Sequence, residues 1–272
     1  MNNILEMFDA KRYIYIILLI VLISCDKDPI YLENGTIKCL DTPIGMEFFV
    51  EELKGIVTVV DRAMLEELIK SNGDIEKVCT SNITDMGGSF GDDTTSLISY
   101  GLFTNSEMNQ DINTWDVSKV TNMMVMFAGA TSFNGDLLSW DVSSVTNMVH
   151  MFQGATTFNG NISTWDISSV TDFQGMFYLA DTFNQDISKW DVSSVANMNW
   201  MFMRASSFNA DISDWNVKNV SNMKDMFEGA TYFNQDLSKW CVINIIEKPV
   251  GFNYGSALDE SKLPKWGTCP NN

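Results

Sequence analysis

Six tryptophans, Trp115, Trp140, Trp165, Trp190, Trp215 and Trp240, follow one another at steps of 25 residues. Met-Phe pairs ending at Phe127, Phe152, Phe177, Phe202 and Phe227 keep the same step. So do Phe-Asn pairs beginning at Phe133, Phe158, Phe183, Phe208 and Phe233, and Met108-Asn109 fits one period earlier. A compact globule needs no such regularity. A stack of equivalent coils does, because each coil buries the face of its neighbour.

Each unit carries two rhythms. Ile112, Trp115 and Val117 have the spacing LxxLxL, and the Trp-Asp-Val step alternates inward and outward, the pattern of a short strand. Met123, Met126, Phe127 and Ala130 follow at three- and four-residue intervals, which predicts one or two helical turns. Thr121 or Asn122 would cap the start and Gly129 would supply a left-handed stop, although Leu179 and Arg204 replace that glycine in two units. The expected fold is an α/β solenoid of right-handed coils, each a short parallel strand plus a short helix, capped at both ends. Strands of successive coils would lie about 4.8 Å apart.

The unit FNxDISxWDVSxVTNMxxMFxGA resembles the BspA-type leucine-rich-repeat surface proteins of bacteria, over roughly residues 81–240. Residues 38–80 look like the N-terminal unit that precedes such repeats, and the tail 241–272 with LPKWGTCP looks like their C-terminal closure. The resemblance implies a cell-surface protein engaged in adhesion or partner binding, and it supplies no catalytic residue. The first unit is degenerate. Aligning Phe90 with Phe177 leaves about a dozen extra residues near 91–103, a surface excursion.

Residues 1–24 read as an export signal. Lys11 and Arg12 precede an apolar run from Tyr13 to Ile23, too short for a bilayer that needs roughly 20 residues. Leu22-Ile23-Ser24-Cys25 resembles a bacterial lipobox, which would make Cys25 the acylated N-terminus of the mature protein. Asp26, Lys27 and Asp28 resemble the surface-export signal of Bacteroidota lipoproteins, and residues 25–37 read as a tether. The expected address is the outer membrane or cell surface. Setting Cys25 aside leaves Cys39, Cys79, Cys241 and Cys269, an even number that suits an oxidising compartment. Of three connectivities, chain proximity favours Cys39–Cys79 with Cys241–Cys269, and free thiols are the alternative.

A stack also needs caps against open edges. Ile56–Val60 reads as a strand, and Asp61 opens a helix Arg62–Lys70 with Ala63, Leu65, Leu68 and Ile69 as its apolar contacts.

The columns of the repeat differ in what they offer. The Trp and Phe columns read as interior ladders rather than sugar platforms, since burying each ring is worth roughly 1.5–3 kcal/mol. The Asn of Phe-Asn would bond turn backbone. Asp116, Asp141, Asp166 and Asp191 form an acidic column, and Asp111, Asp136, Asp186, Asp211 and Asp236 another with Asn161 between. Turn hydrogen bonds account for both columns, and a Ca²⁺ ladder on the first is the alternative, the one cofactor the sequence suggests. Positions that vary between coils should carry specificity. One column is Val125, His150, Gly175, Trp200 and Asp225, and another is Ala128, Gln153, Tyr178, Met203 and Glu228. Tyr178, Trp200 and Met203 are expected to form an exposed apolar patch for a partner, and His150 to be an ordinary surface residue.

The net charge of −18 argues against nucleic acid as a partner. One histidine in the chain leaves little room for His-based catalysis. The leading function is a monomeric, lipid-anchored surface protein whose solenoid face binds a protein or a glycan. A surface spacer without ligand is the alternative. A carboxylate glycosidase is remote, because the repeated acids sit in equivalent environments and no catalytic motif is present.

Overall fold

The computed structural model describes residues 29–39, 41–90, 99–103 and 107–270. The leader, Cys25 and most of the segment 91–103 lie outside the described residues.

The N-terminal unit begins with a hairpin, β1 (Tyr31–Glu33) and β2 (Thr36–Lys38). Its two-residue turn is Asn34-Gly35, with φ of 52° and 85°, as a turn matching the twist of the strands requires. β3 (Glu47–Val50) pairs antiparallel with β4 (Gly55–Val59), and β5 (Val78–Cys79) pairs parallel on the other side of β4. Between β4 and β5 runs α1 (Arg62–Lys70), capped by the Asp61 carboxylate, which accepts the Met64 N–H at 2.8 Å. α1 buries Leu65 and Ile69, with Met64 and Leu68 packed at the margin. Ala63 is exposed, so Met64 takes the contact that the sequence assigned to it. Cys39 and Cys79 form a disulfide with Cα atoms 6.2 Å apart, tying the end of β2 to β5.

Beyond residue 107 each 25-residue unit forms one layer of a stack. The indoles are buried, and each donates its N–H to a carbonyl of the preceding layer: Trp140 to Ile112 at 3.0 Å, Trp165 to Leu137 at 3.0 Å, Trp215 to Ile187 at 3.1 Å. Trp140 and Trp165 lie 6.3 Å apart and only 4° from parallel. Phe127, Phe152, Phe177, Phe202 and Phe227 repeat at 5.2 to 5.8 Å, within 5° of parallel. The Phe133 column does the same beside it. This interior is one continuous hydrophobic core that also includes α1.

The expected strand and helix within each unit are instead turns. Val125 and Gly129 have φ of 51° and 76°, and two left-handed residues four apart break any helix. The backbone alternates two uses of its amides. Val125, Phe127 and Gly129 donate to Val149, Met151 and Gln153 of the next layer at 2.7 to 2.9 Å. Met126, Ala128 and Ala130 donate within the layer to Met123, Val125 and Phe127. The three- and four-residue apolar spacing is therefore the spacing of linked turns. Asn122 reinforces it, because its side chain accepts the Met124 N–H at 3.1 Å and draws the backbone away from regular structure. Strand character survives only as single parallel bridges such as Asn122↔Asn147 and Asn197↔Asn222.

The first layer differs from the sequence alignment. Phe103, not Phe90, fills the phenylalanine ladder: its N–H reaches Met126 O at 3.0 Å, and its ring stacks on Phe127 at 4.8 Å. The insertion thus ends before Leu102. β6 (Ser89–Phe90) and β7 (Ser99–Tyr100) pair antiparallel at its base.

At the other end the tail folds onto the last layer. Leu237 and Val242 donate to Lys262 and Thr268 at 2.9 Å each, Trp266 sits edge-on to Phe252 at 5.0 Å, and Cys241 is bonded to Cys269. The last layer carries one residue more than the others. Phe202 donates to Met226, 24 residues ahead, but Phe227 donates to Phe252, 25 ahead.

Trp165→Ala opens a cavity in the middle of the indole column and leaves the Leu137 carbonyl with only the Trp140 N–H as donor. It should lower unfolding free energy by about 3–5 kcal/mol in urea denaturation.

Candidate functional site

The column Val125, His150, Gly175, Trp200 and Asp225 continues at Gly251, and all six residues have φ between 51° and 67°. Glycine adopts this conformation freely. A side chain there costs roughly 1–2 kcal/mol. Four layers accept that cost, one with a β-branched valine and two with large rings.

The side chains of His150 and Asp225 lie over the backbone of the following layer. A Cβ at Gly175 would run into the His150 imidazole, and one at Gly251 into the Asp225 carboxylate. The two glycines are therefore required by their neighbours as well as by φ. With Gly175 leaving room between them, the rings of His150 and Trp200, two layers apart, approach to 6.3 Å at 52°. Trp200 Nε1 donates to Asp225 Oδ2 at 3.0 Å, and Lys224 Nζ lies 3.7 Å from the same oxygen. Gln174 Nε2 is 3.3 Å from His150 Nε2, and Asn197 Nδ2 donates to Asp172 at 3.1 Å.

His150 is only 3% exposed, not the ordinary surface residue its sequence context suggested. The cause is Gly175, whose missing side chain is the space the imidazole occupies. Burial drives the ring's pKa down to about 4, against the Asp172 carboxylate and the Gln153 side chain, which both favour the charged form. At neutral pH the ring carries no charge.

Tyr178, Trp200 and Met203 are half-buried rather than an exposed patch. Trp200 makes its ring and hydrogen-bond contacts with His150 and Asp225. Sequence reasoning singled out the variable column but missed His150 and Asp225. The signal that could have found them was the two glycines at its other positions. Large exposed apolar residues lie elsewhere, among them Phe49 and Ile56 on the β3–β4 hairpin, Tyr232, and Ile246, Val250 and Tyr254 in the last layer.

The acidic columns serve the turns. Asp141 and Asp166 accept Oγ–H at 2.6 Å from Ser143 and Ser168, two residues on, and Asp191 accepts the Ser193 N–H at 3.0 Å. These serine bonds hold the Asp166 and Asp191 carboxyls below the usual carboxylate range. In the second column Asp186, Asp211 and Asp236 are held low in the same way by Ser188, Ser213 and Ser238. Asp116 differs because it is buried. Burial alone would raise its pKa, but Lys38 at 2.7 Å, Ser81 at 2.5 Å and Ser118 together outweigh it and lower the value. Among the described residues no three His, Cys, Asp or Glu side chains are grouped to hold a metal ion. Asn109, Asn134, Asn159 and Asn184 of the Phe-Asn column each accept a backbone N–H of the next layer, at 2.7 to 2.9 Å.

The model of the family described as "Mycoplasma protein of unknown function, DUF285" matches residues 95–193 and 161–266. These spans cover more than half of the chain, and the protein belongs to that family. No curated protein and no solved structure matches it.

The neutral His150 makes stability depend on pH. An unfolded histidine takes up its proton near pH 6.5, whereas this one resists down to about 4. Its contribution is complete above about 6.5 and is lost as the pH falls, by about 2 kcal/mol between pH 7 and 5. Urea denaturation at the two pH values should show that loss, and His150→Asn, which tolerates the left-handed backbone, should abolish it. In Gly175→Ala the new methyl displaces the imidazole toward water. The single histidine resonance should then titrate closer to pH 6.5.

Proposed function

We propose that this protein is a lipid-anchored bacterial surface protein of the BspA-like kind. In this reading its stacked units form a right-handed solenoid of leucine-rich-repeat type, with coils built of linked turns. Its face at the half-buried Tyr178, Trp200 and Met203 contacts a protein or glycan partner, and the buried His150 and Asp225 hold the Trp200 indole in place. The observation that carries the reading is the strained column. Large side chains are held where the backbone favours glycine, and a purely structural stack would have no use for that cost. The family match, the lipobox-like leader and two disulfides suited to an oxidising compartment agree with this address. No helix among the described residues is long and apolar enough to cross a membrane. In this reading the anchor is the lipid at Cys25, taken from the lipobox-like segment.

Catalysis has no place in the proposal. The repeated aspartates with shifted pKa values are all held low, so none is kept protonated near neutral pH to act as an acid.

Glycan and matrix-protein arrays probed with the delipidated protein test the reading. Trp200→Gly with Asp225→Gly suits the left-handed backbone, so the fold should persist while binding falls at least tenfold. Equal binding by the double variant, or no binding by the wild type, overturns the proposal.

A further inference from the structure

The interlayer bonds of the 123–129 segment all run one way. Along this segment amides of one layer donate to carbonyls of the next, so its forward side shows donors, whereas the backward bonds, such as Thr146 N–H to Thr121 O and Ser221 N–H to Ala196 O, lie outside it. In the penultimate layer Asp225, Phe227 and Gly229 donate to Val250, Phe252 and Tyr254 at 2.8 to 2.9 Å. The corresponding residues of the last layer are Gly251, Asn253 and Gly255. Their amides reach no acceptor among the described residues. The position equivalent to Met198, which donates to Asn222, is Pro249, which has no N–H. The tail covers the tryptophan side of this layer through Lys262, Trp266 and Thr268 but leaves the donor row open. Beside that row Ile246, Val250 and Tyr254 are 81%, 74% and 76% exposed.

We propose that this open edge receives a further repeat unit of the same type, carried by a different protein chain. Every interior layer shows what fits the row: a segment in the same turn conformation that offers a carbonyl at every second residue. An ordinary β-strand edge alternates donors with acceptors and would bring its own N–H groups against these. A second copy of this chain does not fit. Edge to edge, donors meet donors. Head to tail, the described part of the first layer is already covered, because Phe103 and Met86 are fully buried in the cluster with α1 and Arg62 Nη1 occupies the Asp85 carbonyl at 2.9 Å. The incoming unit would cover Ile246, Val250 and Tyr254 as each interior layer covers its neighbour.

A capped peptide with the sequence of residues 196–206 stands in for such a unit. Titrated into the ¹⁵N-labelled chain, it should shift the amide signals of Gly251, Asn253 and Gly255 and slow their hydrogen exchange at least tenfold at saturation. Val250→Ser with Tyr254→Ser changes only exposed side chains. It should weaken binding at least tenfold and leave the thermal midpoint unchanged. Unmoved amides at millimolar peptide, or binding that ignores the double variant, overturns the proposal. Concentration-dependent self-association in light scattering, abolished by the same variant, would assign the edge to a second copy and overturn the choice of occupant.

Discussion

The bond from Phe127 N–H to Met151 O, and its equivalents along the chain, set the distance between layers, and the rest of the molecule is fitted to that distance. It is short enough for phenyl rings to stack and long enough to hold an indole in the next column. Regular helices would turn the same amides inward along their own axis. The left-handed residues at Val125 and Gly129 turn alternate amides outward, so the stack is joined by its backbone as well as by its side chains. Each tryptophan adds a third link, because its indole N–H is satisfied by the layer below.

That same backbone device creates the candidate site. A position that must be left-handed in every layer accepts glycine without strain, so any other residue there is informative. Where glycine does occur, at 175 and 251, it makes room for the side chain of the previous layer. The result is a cluster in which a neutral imidazole, an indole and a carboxylate come from three different layers yet touch. The aspartates of the flanking columns hold turns together and keep their charge through serine hydrogen bonds.

The ladders were legible in the sequence because they depend only on period. Columns spaced by 25 residues must superpose, whatever the local backbone does. The local backbone was not legible. Met123, Met126, Phe127 and Ala130 have helical spacing, and linked turns reproduce it by closing hydrogen bonds across three residues. Phe103 was missed for a related reason. An insertion that returns to the same point in space can hand a ladder position to a residue on its far side, and alignment picks the nearer phenylalanine. The burial of His150 depended on an absence, the missing side chain one layer away, which no pattern within its own unit reveals. The N-terminal helix followed directly from Asp61 and the apolar stripe, apart from the exchange of Ala63 for Met64.

The single extra residue of the last layer bears on how such chains can change length. An added or lost residue inside an interior unit would slide every later column out of phase, whereas a whole unit can be gained or removed with all remaining contacts kept in kind. The layers of irregular length, the first with its insertion and the last with its extra residue, stand at the two ends of the stack. Here the surplus falls near Ile246 and Val250, where nothing further along the stack must match it. Growth and shrinkage of the molecule are therefore quantised, and irregularity is exiled to its ends.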